Sequence, residues 1–226
     1  VTLGQVVTGR RRVRWTSTVF HMEQVGLDAV PIVALLTFLV GAVVAFVGAT
    51  ALREFGAEIF TVELVSISFL REFGVLLTAI LIAGRSGSAF TAQIGSMKSR
   101  EELDAIQALG LDAIELLVIP RLLALLVMLP LLTFIAMMMG IVGGGIVGTL
   151  ALDITPGMFI SRVQEMTGVE HFWVGMVKAP VFAFLIATVG CLEGFKVEGS
   201  AESVGRHTTA SVVQSIFLVI VFASLF

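Results

Sequence analysis

The chain has 226 residues, of which 57% are hydrophobic and 14% charged, and its mean hydropathy is +1.03. This composition excludes a soluble globular domain, because a chain of this length cannot bury so much apolar surface, whereas a lipid bilayer removes that need. The net charge of -3 gives no indication of nucleic-acid binding, and the single cysteine, Cys191, excludes an internal disulfide.

Residues 1–27 are predicted to lie in the membrane interface and not to cross the bilayer. A cluster of four arginines comes first, at positions Arg10, Arg11, Arg12 and Arg14. The residues after it mix apolar side chains such as Trp15 and Phe20 with polar ones, and a basic amphipathic helix of this kind binds anionic headgroups. A disordered basic tail is the alternative. No short apolar core follows the arginines, so a secretory signal peptide is not expected.

Five segments are apolar and long enough to cross a bilayer, whose core of ~30 Å requires about 20 helical residues. In chain order they are Ala29–Leu52, Val62–Met97, Leu122–Leu152, Phe172–Leu192 and Thr208–Phe226. The second segment is too long for one straight crossing, so we expect a single helix that is kinked or projects beyond the membrane. The sequence therefore predicts an all-α membrane protein with one domain over residues 1–226 and a five-span bundle over 28–226.

The distribution of lysine and arginine between the loops predicts the orientation. With the amino end in the cytoplasm, eight of these residues fall on the inner side: Arg10, Arg11, Arg12, Arg14, Lys98, Arg100, Lys196 and Arg206. Only Arg53 and Arg162 fall on the outer side. The bias places the amino terminus in the cytoplasm, and five spans then place the carboxyl terminus on the outer side.

The segment 99–110 is predicted to form a short amphipathic helix between the second and third spans, on the cytoplasmic side. Ser99 and Glu102 have the spacing of a capping box, and Gly110 is a natural helix stop. The first turn is acidic, as the helix dipole favours, and apolar residues recur at helical spacing: Glu101, Glu102, Asp104, Leu103, Ile106 and Leu109. Because an anionic membrane surface repels acidic residues, a groove in a partner protein is the favoured contact. Packing on the chain's own bundle is the alternative.

A long ordered motif runs through the second span into this helix. It reads Glu72-Phe-Gly-Val-Leu-Leu-Thr-Ala-Ile-Leu-Ile-Ala-Gly-Arg-Ser-Gly-Ser-Ala-Phe-Thr-Ala-Gln-Ile-Gly-Ser-Met97 and continues through Glu102, Asp104, Ala105, Leu109, Gly110 and Asp112 to Pro120-Arg121. In this motif, and in Phe55, Gly143-Gly144 and Arg206-His-Thr-Thr, the chain resembles the MlaE/YrbE permease family. It departs from the family pattern at Val47, Val75 and Gln93, where glutamine, proline and glutamate are common.

The resemblance implies the permease subunit of an ABC transporter that moves lipid, foremost phospholipid, between the inner and outer membranes of a bacterium and so maintains outer-membrane lipid asymmetry. It implies a homodimer in the inner membrane, cytoplasmic ATPase subunits that hold Mg-ATP, and a periplasmic MCE-domain protein. The short helix would be the coupling helix that docks into the ATPase through Glu101, Glu102, Leu103, Asp104, Ile106, Leu109 and Gly110.

A lipid-binding region is expected near the outer ends of the first two spans. The resemblance places Phe55 where an aromatic residue contacts bound lipid, with Val44, Leu52 and Leu70 nearby; these residues could equally be ordinary membrane-facing side chains. We hypothesise that Arg71 meets lipid phosphate and that Glu72 tunes access, with snorkelling at the interface as the alternative. As sequence neighbours on a helix, these two residues point about 100° apart, so each is expected to need its own partner.

Small residues spaced by four predict close helix contacts. In the second span Gly84 pairs with Ser88 and Ala83 with Gly87, while Arg85 braces the cytoplasmic end. In the third span the same spacing makes one flat face, and packing within the bundle is favoured there over a dimer seam: Gly140, Gly144 and Gly148.

Several chemistries lack their sequence signature. No Gly-x-x-x-x-Gly-Lys-Ser/Thr loop is present, so ATP is expected on another chain and no cofactor on this one. The three histidines are too scattered to indicate a metal site, and no Gly-x-Ser-x-Gly elbow indicates a hydrolase. Two rival functions stay open: an ion-coupled secondary carrier that uses Glu72 or Arg85 as its coupling site, and an intramembrane enzyme acting on lipid.

Overall fold

The computed structural model describes residues 15–151 and 154–225, which are helical and contain no strand. The arginine cluster at 10–14, which is predicted to lie in the membrane interface, is outside these described residues. The α-helices are α1 (Trp15–Val25), α2 (Val30–Arg53), α3 (Thr61–Ser68), α4 (Gly74–Ile82), α5 (Ser88–Ser99), α6 (Glu102–Ala108), α7 (Ile119–Ala151), α8 (Pro156–Met166), α9 (Val169–Lys196) and α10 (Ala201–Leu225). Short 3₁₀ turns cover Leu27–Ala29 and Glu58–Phe60, and π turns cover Phe69–Phe73, Ala83–Gly87 and Ile114–Val118.

Within the described residues, five helical stretches are long and apolar enough to cross a membrane, which confirms the predicted all-α, five-span architecture. They are Trp15–Arg53, Glu58–Ser99, Ile114–Leu150, Val169–Lys196 and Ala201–Leu225. The second stretch is one helical run in which α3, α4 and α5 are joined by two π turns, as its excess length led us to expect. The structure begins the last three stretches earlier than hydropathy alone predicted, because their first turns carry charged residues.

Contacts divide the chain into two compact units. Of the described residues, the first unit contains 15–28, 79–129 and 180–225, and the second contains 29–78, 130–151 and 154–179. Pro130 and Pro180, at two of these boundaries, lie inside α7 and α9. A proline inside a helix removes one backbone hydrogen bond and permits a local bend.

In the second unit, α2 and α7 approach until their backbones touch. A Cβ atom on Gly41 would lie 2.0 Å from the carbonyl oxygen of Gly140, and one on Gly143 would lie 2.0 Å from that of Phe38. A Cβ on Gly140 or Gly144 would meet the side chain of a buried residue of the second helical stretch, Phe69 or Val65 respectively. The flat glycine face thus packs within the bundle as predicted, and Gly148 contacts Phe159 in the same unit.

In the first unit, only one of the two small-residue pairs predicted in the second span makes a close contact. A Cβ on Gly190 of α9 would lie 2.8 Å from the carbonyl oxygen of Gly87, and Thr91 donates a hydrogen bond of 2.8 Å to the carbonyl oxygen of Gly190. In contrast, a Cβ on Gly84 would meet nothing within 4 Å, so Gly84 makes no close contact with another helix among residues 15–151 and 154–225.

Helix α8 was not predicted from the sequence. Thr155 caps it, with its hydroxyl accepting a bond of 3.3 Å from the backbone N–H of Met158, and Pro156 occupies the first helical turn. Its buried residue Phe159 packs with Val62 and Ile154. The Thr-Pro pair is a helix-start signal that the sequence alone could have revealed.

We expect Gly41→Ala to lower the free energy of unfolding by about 1–3 kcal/mol, because the new methyl group would press on the backbone of α7. The matched control is Gly84→Ala, whose methyl group meets open space and which should leave stability unchanged or raise it by about 0.5–1 kcal/mol. Thermal unfolding of the purified chain in detergent, followed by circular dichroism, measures both. Equal destabilisation by the two substitutions would contradict the close crossing of α2 and α7.

Candidate functional site

The predicted capping box of α6 is wrong. Ser99 is the last residue of α5, and its hydroxyl donates to the carbonyl oxygen of Gly95 at 3.0 Å, so it cannot cap the next helix. Glu101 takes the N-cap position instead, in the left-handed conformation with φ 60°, and without a side-chain capping bond. The predicted stop is confirmed: Gly110 has φ +72° and donates to the carbonyl oxygen of Gln107 at 2.9 Å.

One face of α6 is anchored in the first unit. Leu103 is 5% exposed and packs with the buried residues Ile94, Leu117 and Cys191. Ile106 is half-buried against the same cluster. The apolar edge that the sequence assigned to a partner protein therefore contacts the chain's own bundle at these two positions.

The other residues of α6 and the turn after it are exposed. Leu109 is 76% exposed and Leu111 is 45% exposed. The acidic residues of the first turn are exposed as well: Glu101, Glu102 and Asp104. We call these five residues the α6 surface. It carries carboxylates at the start of the helix and apolar side chains just after its end, a combination that suits a protein groove better than an anionic membrane.

The predicted lipid-binding residues Leu52 and Phe55 line two neighbouring apolar clefts at the end of α2. Leu52 lines a cleft of about 470 Å³ together with Phe60 and Leu64. Phe55, which is 80% exposed, lines the second cleft with Phe46. Ligand cavities are commonly of this size.

The other predicted apolar residues do not join these clefts. Val44 packs against the buried cluster of Ala45, Val65 and Phe69. Leu70 is buried, and its carbonyl oxygen lies where a Cβ on Gly175 would be only 2.2 Å away. Both residues therefore support the helix packing behind the clefts.

A salt bridge that the sequence analysis missed joins α9 to the second helical stretch. Lys178 is fully buried, and its Nζ lies 2.6 and 2.7 Å from the two carboxylate oxygens of Glu72. Arg71 is half-exposed, and its Nε lies 3.7 Å from the same carboxylate, so the expectation that these sequence neighbours cannot pair is wrong. They occupy the π turn Phe69–Phe73, where the regular helical spacing does not hold. Opposite charges in two spans were the signal for this pair.

A second ion pair lies at the 470 Å³ cleft. Nη2 of Arg162 in α8 lies 3.0 Å from a carboxylate oxygen of Glu63, which lines the cleft, and the guanidinium sits 5.7 Å from the ring centroid of Phe60. The sequence had placed Arg162 only in an outer loop. In the structure it ties α8 to the second helical stretch and gives the apolar cleft a polar border.

Arg85, predicted to brace the end of the second span, contacts the end of α1. Its Nη1 donates a bond of 2.9 Å to the carbonyl oxygen of Gln24, and its Nη2 lies 3.7 Å from a carboxylate oxygen of Asp28. A cation at the last carbonyls of a helix is favourable, because the helix dipole is negative there.

The chain has clear similarity to known permeases. The profile of the family described as Permease MlaE matches residues 18–226. A probable ABC transporter permease protein of Synechocystis is 35% identical over 210 residues, which cover 93% of this chain and 80% of that protein. A probable ABC transporter permease protein of Rickettsia bellii is 34% identical over 197 residues, 87% of this chain and 76% of its own length. The intermembrane phospholipid transport system permease protein MlaE of Haemophilus influenzae is 32% identical over 201 residues, which cover 88% of this chain and 77% of that protein.

We expect Glu72→Gln to lower the free energy of unfolding by about 3–5 kcal/mol, because it leaves the buried ammonium of Lys178 without its carboxylate. Lys178→Met should cost less, since the side chain of Glu72 is 40% exposed and keeps access to polar surroundings. The double substitution should recover most of the loss. Thermal unfolding of the three purified variants measures this, and purely additive losses would show that the two residues are not coupled.

Proposed function

The chain belongs to the MlaE family of membrane-spanning ABC-transporter permeases, and from that premise we propose that its cargo is phospholipid moved between the inner and outer membranes of a bacterium. Two copies would form the transport pathway in the inner membrane. Cytoplasmic ATPase subunits would bind and hydrolyse Mg-ATP, and a periplasmic MCE-domain protein would exchange the lipid. The excess of basic residues in the loops supports an amino terminus in the cytoplasm and a carboxyl terminus in the periplasm.

The observation that carries the proposal is the two-sided character of α6. Leu103 fixes one side of the helix in the core of the first unit, while Leu109, directly after the helix, is exposed. Because protein cores are close-packed, a push on α6 moves the residues around Leu103 with it and does not merely deform the helix. An element of this kind can receive mechanical work from an ATPase and deliver it to the membrane helices.

The clefts at the end of α2 suit the cargo. Their linings around Leu52 and Phe55 are largely apolar and match acyl chains, and the border formed by Glu63 and Arg162 is polar. Arg71 is half-exposed and keeps donors for a lipid phosphate. Lys178 neutralises the Glu72 carboxylate, so that this carboxylate does not repel the phosphate.

The mechanism we propose is alternating exposure of a lipid cavity between the two copies. Closure of the ATPase subunits on ATP pushes the two α6 helices, and the membrane helices rearrange to release lipid to the MCE partner or to accept it. The permease contributes the cavity and the linkage, and the separate ATPase contributes the free energy.

We expect Leu109→Asp to reduce copurification of the ATPase subunit at least about tenfold, because it removes the most exposed apolar side chain of the α6 surface and adds a charge. The matched control is Val169→Asp, at a residue that is 70% exposed in α9 and outside the α6 surface. Both variants should fold as the native chain does, which thermal unfolding checks. Leu103→Asp, by contrast, should lower stability because it places a charge in the core.

Undiminished copurification and ATP-driven lipid transport by Leu109→Asp would contradict the docking role of α6. Transport that continues without any ATPase and stops when the ion gradient is dissipated would instead favour the ion-coupled carrier. Reconstitution of the chain in vesicles with a fluorescent phospholipid, with and without the ATPase and a protonophore, separates these outcomes.

A further inference from the structure

A small polar cleft in the first unit belongs to neither the α6 surface nor the apolar clefts. It has a volume of about 250 Å³ and lies between the end of α1 and the helical run that starts at the π turn Ala83–Gly87. The residues that matter are Gln24, Asp28, Arg85, Ser86, Phe90 and Gln93. π turns interrupt a regular helix and are frequent at functional sites.

Ser86 lines this cleft with an unused hydroxyl. The residue is 3% exposed, and its Oγ has no hydrogen-bond partner in the part of the chain that the structure describes. Its neighbours behave differently: the hydroxyls of Thr78, Ser88 and Thr91 each donate to the carbonyl oxygen four residues earlier, at 2.8, 2.6 and 3.2 Å. The hydroxyls of Thr61, Thr133, Thr167, Ser211 and Ser215 are also unpaired among the described residues, so a missing partner alone does not indicate a ligand. The Oγ of Ser86 in addition belongs to a residue in the lining of a polar cleft, where a ligand can reach it.

A buried positive charge stands behind the cleft. Arg121 is 4% exposed, and among residues 15–151 and 154–225 no carboxylate lies within ion-pair distance of it. It donates 3.1 Å to the side-chain oxygen of Gln93 and lies 5.6 Å from the ring centroid of Phe90, two residues that line the cleft. Because the side-chain oxygen of Gln93 accepts the bond from Arg121, the two N–H donors of the Gln93 amide remain available for another acceptor. A buried cation without a counter-charge favours a nearby anion.

The open side of the cleft carries both signs of charge. Arg85 donates one hydrogen bond to the carbonyl oxygen of Gln24, and its guanidinium has further N–H groups that can donate to a ligand. Asp28 is exposed and meets Arg85 only at 3.7 Å, so its carboxylate remains able to accept from a cation. Next to this region α1 exposes the apolar side chains of Val19 and Phe20, which suit contact with acyl chains.

We propose that this cleft binds the headgroup of a zwitterionic phospholipid, with the phosphate against Arg85, Ser86 and Gln93 and the ammonium group against Asp28. The bound lipid would join α1 to the second helical stretch and supply an anion near Arg121, which meets no carboxylate among the described residues. This site is separate from the cargo clefts, and it stands whether or not the chain works with an ATPase.

The test measures lipid binding to the purified chain in detergent by native mass spectrometry. Short-chain phosphatidylethanolamine should bind more tightly than short-chain phosphatidylglycerol, glycerophosphoethanolamine or inorganic phosphate. Ser86→Ala should weaken phosphatidylethanolamine binding about tenfold, because it removes a hydrogen bond to a charged group. Ser88→Ala is the matched control and should leave binding unchanged, since the hydroxyl of Ser88 is already bonded within its own helix.

Two further variants test the charges. Gln93→Glu should raise the unfolding temperature, because Arg121 gains a carboxylate, and should weaken phospholipid binding by repelling the phosphate. Asp28→Asn should abolish the preference for phosphatidylethanolamine over phosphatidylglycerol. Equal binding by the Ser86→Ala and Ser88→Ala variants, or equal affinity of the native chain for the two lipids, would overturn the proposal. If inorganic phosphate bound as tightly as the lipid, the proposal that the ligand is a phospholipid would be wrong.

Discussion

The structure depends on one constraint, which is that polar groups within a membrane need partners supplied by the protein. Hydroxyls meet it by bonding to their own helix, as Thr37 does to Val33 and Ser66 does to Val62, each at 2.8 Å. Charges meet it by pairing between helices, as the buried ammonium of Lys178 does. Several hydroxyls leave the constraint unmet among the described residues, at Thr61, Ser86, Thr133, Thr167, Ser211 and Ser215. An unpaired group of this kind can accept a partner from outside the chain where it lines a cleft, as Ser86 does.

Rigid contact between helices follows from a second property of the sequence, its small residues. Where Gly41 faces Gly140 the backbones touch, and no side chain remains that could rearrange to absorb a displacement. In the first unit Leu103 holds α6 rigidly in place, because it packs against side chains of three other segments. A permease that is driven from outside needs such stiffness, since soft packing would dissipate the applied motion before it reached the lipid.

Hydropathy predicted the five spans because the thickness of the bilayer fixes their length, and glycine spacing predicted the face of α7 because only small residues permit a close crossing. Hydropathy and glycine spacing do not predict which side chains of distant segments contact each other. The pair of Glu72 with Lys178 depends on which spans are neighbours, which one sequence does not reveal. The capping-box prediction was wrong for a local reason. Helix α5 extends to Ser99, and the hydroxyl of Ser99 donates to the carbonyl oxygen of Gly95 in the same helix, so it is not available to cap α6.

We propose that work enters the permease through the exposed side of α6 and passes to the bundle through the buried side. Site-specific photo-crosslinking in the assembled transporter tests it most directly, with a photoreactive amino acid placed at position 109 and, separately, at position 103. Position 109 should crosslink to the ATPase subunit, and position 103 should crosslink only within the permease. Crosslinks from position 109 to lipid alone would contradict it.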